Sequence, residues 1–105
     1  MTNLEAISNE LYPYDVDEML IVKRCMDYSL DANAEYLQGN KVAIAQVVIS
    51  ILRKNLIAIQ SENNGGYSLS YREISTMIRN IALENGLKDI AEEFNEKPRV
   101  YIGID

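Results

Sequence analysis

The strongest hydrophobic pattern in the chain lies in residues 41–62, which read KVAIAQVVISILRKNLIAIQSE and contain neither Gly nor Pro. On a helical wheel the polar side chains fall on one narrow strip, and apolar side chains cover most of the remaining surface. The pattern predicts a single helix of about six turns. Because so apolar a helix must be covered on most faces, we expect other helices or neighbouring subunits to pack around it. The polar strip consists of Gln46, Ser50, Arg53 and Gln60.

Two residues of this stretch depart from its pattern. Asn55 lies among the apolar positions, where its amide either bonds a nearby backbone group or forms a polar contact that sets the register of an interface. Ile57 lies on the polar strip, either as an ordinary exposed residue or as one that another subunit covers. Both are therefore candidate interface residues.

Two shorter helices are predicted before this stretch. The pairs Thr2 with Glu5 and Asp15 with Glu18 both have the spacing of a capping box, which marks the start of a helix. The first helix runs from residue 3 to the break at Tyr12-Pro13-Tyr14, with an apolar face of Leu4, Ile7 and Leu11. The second runs to about Tyr28, with Met19, Val22 and Met26, beside Leu20 and Ile21, on its apolar side.

Residues 29–40 are predicted to form a loop that contains one helical turn at 34–37. Gly39 is expected to end that turn, and Asn40 to cap the helix that follows.

Acids and an amide alternate in this loop as they do in a calcium-binding loop. A calcium loop needs Gly at its sixth position and Glu at its twelfth, and this chain has Tyr36 and Val42 there. No calcium site is therefore predicted, and no other metal or cofactor. The alternating residues are Asp31, Asn33 and Glu35.

Beyond the long helix, Asn63-Asn64-Gly65-Gly66 predicts a reversal, and residues 67–70 are predicted to be a short extended stretch. Ser70 and Glu73 again have capping-box spacing, so a helix is expected to follow and to end at Asn85-Gly86. Its apolar face is Ile74, Met77, Ile78 and Ile81, and a final short helix repeats the spacing with Leu87, Ile90, Ala91 and Phe94.

The last residues alternate as a strand does, after Pro98 closes the helical part. Such a strand needs a second edge, at residues 67–70 or in another protein, and otherwise the tail is disordered. The sequence thus predicts an all-α domain over residues 1–97, with four to five helices around 41–62, and an extended tail over 98–105. Candidate interface residues in the tail are Val100, Tyr101, Ile102 and Ile104.

The net charge of −6 is placed unevenly. Residues 1–40 hold eight acids and two bases, a balance of −6, whereas residues 41–105 hold eight of each. Nucleic-acid binders need a basic face to displace counterions from phosphates, and none is evident. Direct binding of DNA or RNA is therefore not expected.

The amino-acid composition excludes some kinds of catalysis and metal binding. The chain has no His, which excludes catalysis by Ser-His-Asp or Cys-His groups and ligation of metals by imidazole. Its one cysteine, Cys25, is expected to be a small buried hydrophobe in a reducing compartment. The first ten residues are acidic and lack the apolar core of a signal peptide, and no stretch is long enough to span a bilayer, so a cytoplasmic location is expected.

Seven tyrosines accompany one Phe and no Trp. Tyr12 and Tyr14 flank Pro13 beside acidic residues, and tyrosine combines a large apolar area with a polar end. They are candidate interface residues, and the alternative is that they cap a small core.

The order of these elements, with the segment Ser61–Arg72 (SENNGGYSLSYR), resembles the small helical head–tail connector, or adaptor, proteins of tailed phages and prophages, including phage-type proteins of gut bacteria. In such proteins a long helix often runs into a Gly-Gly turn and serines before the next helix. The resemblance implies a non-enzymatic subunit of a homo-oligomeric ring, with portal, capsid or tail proteins as partners and the virion as a location.

Two other functions stay open. The first is a small acidic regulatory module, whose first forty residues would contact a basic partner. The second is a small enzyme or ligand-binding protein, which would require a polar pocket.

Overall fold

The structure is a computed structural model that describes residues 1–12, 14, 16–62 and 67–94, with side chains described there except at 56–62 and 67–71. Within this part the chain is all-α, as predicted. The predicted reversal at 63–66, the strand and the tail over 98–105 lie outside the described residues. The helices are α1 (Asn3–Leu11), α2 (Glu18–Asp27), a 3₁₀ turn (Gln38–Asn40), α3 (Lys41–Glu62), α4 (Tyr67–Glu84) and α5 (Lys88–Glu93).

α1 begins with the predicted capping box. The backbone N–H of Glu5 donates to Thr2 Oγ1 at 3.1 Å, and the N–H of Thr2 donates to Glu5 Oε1 at 2.8 Å. These two bonds satisfy donors that a helix start otherwise leaves open. The helix ends where predicted, with Tyr12 as its C-cap, and Ile7 and Leu11 are buried.

The first turn of α1 also holds the loop that precedes α3. Asn3 is 1% exposed, and its Nδ2 donates to the carbonyl of Asp31 at 2.8 Å. Its backbone N–H donates to the carbonyl of Ala34 at 2.9 Å, and Thr2 forms a bridge with Glu35. The pattern of apolar residues could not predict that Asn3 is buried and holds this loop, because such a pattern identifies only apolar side chains as core residues.

This attachment explains why the helical turn predicted at 34–37 is wrong. Residues 31–34 form a turn closed by the N–H of Ala34 on the carbonyl of Asp31, and the carbonyls of Ala32 and Ala34 accept from the first N–H groups of α1. The helical turn forms later, at Gln38–Asn40. Gly39 lies inside that turn rather than ending it, and Asn40 belongs to the turn that leads directly into α3. Hydrogen bonds to the first residues of the chain have overridden the helical preference of residues 34–37.

α3 begins and ends at the predicted residues, and it contacts α1, α2 and α4. Its described surface is not apolar on every side, because Lys41 and Lys54 are exposed. Val42, predicted to be covered, is 44% exposed. The buried side chains of α3 are Ile44, Ala45, Val47, Val48, Ile49, Ile51 and Leu52.

α4 begins earlier than predicted. The helix includes Tyr67, so the extended stretch at 67–70 and the cap at Ser70 are both wrong. Residues 67–84 contain neither Gly nor Pro, and adding residues to an existing helix costs less than leaving an extended segment without a strand partner. The predicted face is confirmed, with Ile74, Ile78 and Ile81 buried and Met77 half-buried.

The end of α4 is the left-handed stop that Asn85-Gly86 predicts. Gly86 has φ +73°, the N–H of Leu87 donates to the carbonyl of Ala82 at 2.9 Å, and the N–H of Gly86 donates to that of Leu83 at 3.4 Å. This pair of bonds is the Schellman motif. It turns the chain so that α5 packs back on α4, with Ala91 buried.

We expect Gly86→Ala to lower the free energy of unfolding by about 1–2 kcal/mol, since a Cβ is strained in the left-handed region. A Cβ at Gly86 meets no atom within 4 Å, so backbone strain is the whole effect. Urea denaturation followed by circular dichroism measures the change. Gly39→Ala is the matched control, because Gly39 has equally open space and no positive φ. Equal losses in the two variants would contradict the role given to Gly86.

Candidate interaction surface

α2 has one apolar face that the described chain leaves uncovered. Met19 is 78% exposed, Met26 73% and Val22 37%, whereas Ile21 and Cys25 are buried. Of the residues predicted to form one apolar side, Ile21 is therefore buried as expected, whereas Met19, Val22 and Met26 are exposed. We call Met19, Val22 and Met26 the α2 stripe.

The sequence of α2 carries two apolar faces, and this explains the error. Ile21 and Cys25 are four residues apart and define a second face, which packs toward α1 and α3. Periodicity shows that a face exists but not which of two faces meets the neighbouring helices. Met loses much rotamer freedom on burial, so leaving Met19 and Met26 outside avoids an entropic cost.

The start of α2 sets the position of the stripe. The N-cap is Asp17, whose Oδ1 accepts a hydrogen bond from the N–H of Met19 at 3.2 Å. The start predicted at Asp15 is therefore two residues early, and Asp15 itself lies outside the described residues. Asp17 has ψ 129°, so helical geometry begins only at Glu18.

The stripe is narrow and straight. Its three side chains lie within about a sixth of the helix circumference and span roughly 10 Å along the axis. Exposed charged residues border it on both sides: Glu18 on one, Lys23 and Asp27 on the other. Arg24 is half-buried, and its Nη1 lies 3.5 Å from Asp27 Oδ2. An apolar line with a charged border is typical of a protein contact surface.

The two candidate tyrosines have different surroundings. Tyr12 is 68% exposed and stays a candidate interface residue. Tyr14 packs against the core, as the alternative interpretation predicts. Burial raises the pKa of Tyr14, and the carboxylate of Glu73 raises it further.

Of the remaining candidates, only Asn55 has a described side chain. Asn55 is half-buried on α3. The side chain of Ile57 lies outside the described residues, and so do Val100, Tyr101, Ile102 and Ile104. Their proposed interface roles stay predictions.

A polar contact that the sequence did not reveal joins α3 to α5. Arg53 donates to both carboxylate oxygens of Glu93, at 2.9 and 2.7 Å, and its guanidinium carbon lies 5.2 Å from the centre of the Phe94 ring. Glu93 is therefore paired with a cation although its side chain is half exposed. Both charged side chains are more than a third exposed, so the pair orients α5 more than it stabilises the fold.

The comparison with known families covers nearly the whole chain. The model of a family of unknown function, DUF6706, matches residues 1–103. The chain belongs to this family. No curated protein and no solved structure matches the chain.

Cys25 offers this DUF6706 chain no evident reactivity. The thiol is fully buried, and burial raises its pKa, with the carboxylate of Asp31 raising it further. Because only the thiolate is a good nucleophile, both effects suppress its reaction. The prediction of a buried small hydrophobe is confirmed.

The loop with alternating acids has a structural use. Asp31 Oδ1 accepts a hydrogen bond from the N–H of Asn33 at 3.0 Å, and its carbonyl accepts one from Asn3. Within the described residues, no group of three or more possible metal ligands is close enough to hold an ion. Among the described helices, none has the length and apolarity needed to cross a membrane.

Proposed function

We propose that the chain is a non-enzymatic assembly protein that forms a homo-oligomeric ring, as a subunit of a phage-type head–tail connector. The observation that carries the proposal is the α2 stripe, a line of exposed apolar side chains on the side of the helix away from the buried Ile21 and Cys25. Exposed apolar surface of this kind favours a protein contact. The order of elements supports the choice of a connector through its resemblance to that class.

The charge distribution favours a ring over a two-fold dimer. The stripe lies in residues 1–40, which carry the whole net charge of −6 and are called the acidic half below. A two-fold contact through the stripe would bring two net-acidic segments together, which is mildly unfavourable, although Glu18 and Asp27 of α2 itself are balanced by its two bases. A head-to-tail contact, in which the stripe meets the balanced half of the next copy, avoids this repulsion. Head-to-tail contacts form rings when their rotation closes.

The resemblance also names the partners and the location. A connector ring contacts portal or capsid proteins on one side and tail proteins on the other, first in the cytoplasm and then in the virion. An acidic channel would let DNA slide without binding it. Neither a cofactor nor a catalytic group is part of this proposal.

The test is the mass of the chain in solution. We expect light scattering after size-exclusion chromatography to show a defined assembly of several copies as the concentration rises from micromolar to millimolar. A chain that stays monomeric throughout would overturn self-assembly. It would leave the acidic half as the better guide to function.

That acidic half favours the second candidate, a regulatory module that binds a basic partner. Glu18 and Glu35 are exposed acids of this half and lie outside the N-cap of α2. In a module, Glu18→Lys with Glu35→Lys abolishes capture of the basic partner and leaves the solution mass unchanged. In a ring, by contrast, a substitution that breaks a contact between subunits lowers the mass measured in solution.

A further inference from the structure

Within the described residues the chain forms one short antiparallel β-bridge, which pairs Thr2 with Glu35. Two backbone hydrogen bonds of 2.9 and 2.8 Å, between residues 1–3 and 34–36, flank the pair. Thr2 and Glu35 are therefore opposed without bonding each other. In such a pair the N–H and C=O of each residue point away from the partner, so those of Glu35 point outward from the bridge.

The outer side of this bridge is open to another strand. Neither the N–H nor the C=O of Glu35 forms a backbone hydrogen bond with another described residue. Leu37 is also extended, with φ −124° and ψ 156°, and its N–H has no such bond either. Both side chains are exposed. We call residues 34–37 the bridge edge. An open edge of this kind is a template for an added strand.

The sequence contains a segment that needs such an edge. Residues 100–104, which read VYIGI, alternate in the manner of a strand. The edge predicted for them at residues 67–70 does not exist, because α4 includes that stretch. Within the described part of the chain, the bridge edge is the extended surface that can replace it.

The bridge edge lies within reach of this segment. Tyr36 on the edge and Asn85 just after α4 line the same groove. α5 begins three residues after Asn85 and is only about 9 Å long. Residues 95–99 can extend the chain by up to about 17 Å beyond it. A segment tethered this closely has an effective concentration of about a millimolar, which favours it over the same segment of another copy.

Charge favours the same pairing. Residues 97–104 contain two bases, Lys97 and Arg99, and no acid. The bridge edge lies in the acidic half, and both Glu35 on the edge and Asp31 just before it are exposed. Opposite charges on neighbouring strands stabilise their pairing. The basic residues therefore precede the alternating run where they can meet these acids.

We propose that the bridge edge is a strand-acceptor surface and that residues 100–104 of the same chain bind to it. The N–H and C=O of Glu35 form the central pair of hydrogen bonds, and the N–H of Leu37 donates a third. The added strand covers an edge that otherwise invites pairing with other proteins. A partner protein that takes up the tail must first displace it from this edge.

The test is hydrogen–deuterium exchange of the full chain at submicromolar concentration, resolved to single amides by mass spectrometry. We expect slow exchange at Glu35 and at alternate amides of residues 100–104. Tyr101→Pro with Ile102→Pro removes an N–H from either register of the tail, so exchange at Glu35 should become at least threefold faster. Tyr101→Val with Ile102→Val keeps both N–H groups and is the matched control, which should leave that exchange unchanged.

Exchange at Val48 in the buried part of α3 shows whether each variant keeps its fold. With Val48 unchanged, equal exchange at Glu35 in the unchanged chain and the double-proline variant would overturn the proposal. Protection of Glu35 that appears only as the protein concentration rises would also overturn it, because the strand would then come from another copy. The experiment does not require ring formation, so its failure is separate from failure of the connector proposal.

Discussion

Met26→Glu should convert the proposed assembly into monomers at concentrations where the unchanged chain is expected to be fully associated. The substitution places a carboxylate at one end of the α2 stripe, where assembly would have to bury it against apolar surface without a partner. We expect each subunit contact to weaken at least about 100-fold, or about 2.7 kcal/mol. Sedimentation velocity over a concentration series measures this change.

The same substitution should leave the fold intact. Met26 is 73% exposed, so the free energy of unfolding should change by no more than about 0.5 kcal/mol. Leu37→Glu is the matched control, because Leu37 is 61% exposed in the same acidic half but lies off the stripe. If the assembly survives Met26→Glu, or dissociates equally with Leu37→Glu, then the stripe is not part of the interface between subunits.

Leu52→Ala should produce a large loss of stability. Leu52 is fully buried, and removing a buried leucine side chain costs about 2–5 kcal/mol through lost transfer energy and the cavity left behind. A small domain has a total stability of about 5–15 kcal/mol, so this loss is a large share. Urea denaturation gives the difference, provided the slope of the transition stays constant.

Val42→Ala on the same helix is the internal comparison. Val42 is 44% exposed, so its truncation should cost less than about 1 kcal/mol. Similar losses at Leu52 and Val42 would mean that burial along α3 does not follow the described packing. If the assembly covers Val42, its cost should rise with protein concentration, while the cost at Leu52 should not.

The sequence determined the features that depend on neighbours within one or two helical turns. The bounds of α3 followed from its periodicity, the start of α1 from Thr2 and Glu5, and the end of α4 from Gly86. Capping bonds and left-handed stops act over three to six residues, so local chemistry decided these two, although the helix starts predicted at Asp15 and Ser70 were wrong. The all-α class followed for the same reason.

Only the tertiary structure decided how these elements face one another. α2 offers two apolar faces, and the one that packs depends on surfaces of α1 and α3 that lie far from it in sequence. The helical turn moved from 34–37 to Gln38–Asn40 because α1 bonds the preceding backbone. The pairing of Arg53 with Glu93 joins residues forty positions apart.

The candidate sites show the same contrast between what local sequence predicts and what tertiary packing decides. The tyrosines were visible in the sequence, but only packing separated exposed Tyr12 from Tyr14 on the core. Met19 and Met26 were read as core residues, and the fold made them the exposed stripe. The bridge edge forms only where Thr2 meets Glu35, two residues far apart in the sequence. Local pattern sets which residues share a face, and packing against distant segments sets whether that face is buried or exposed.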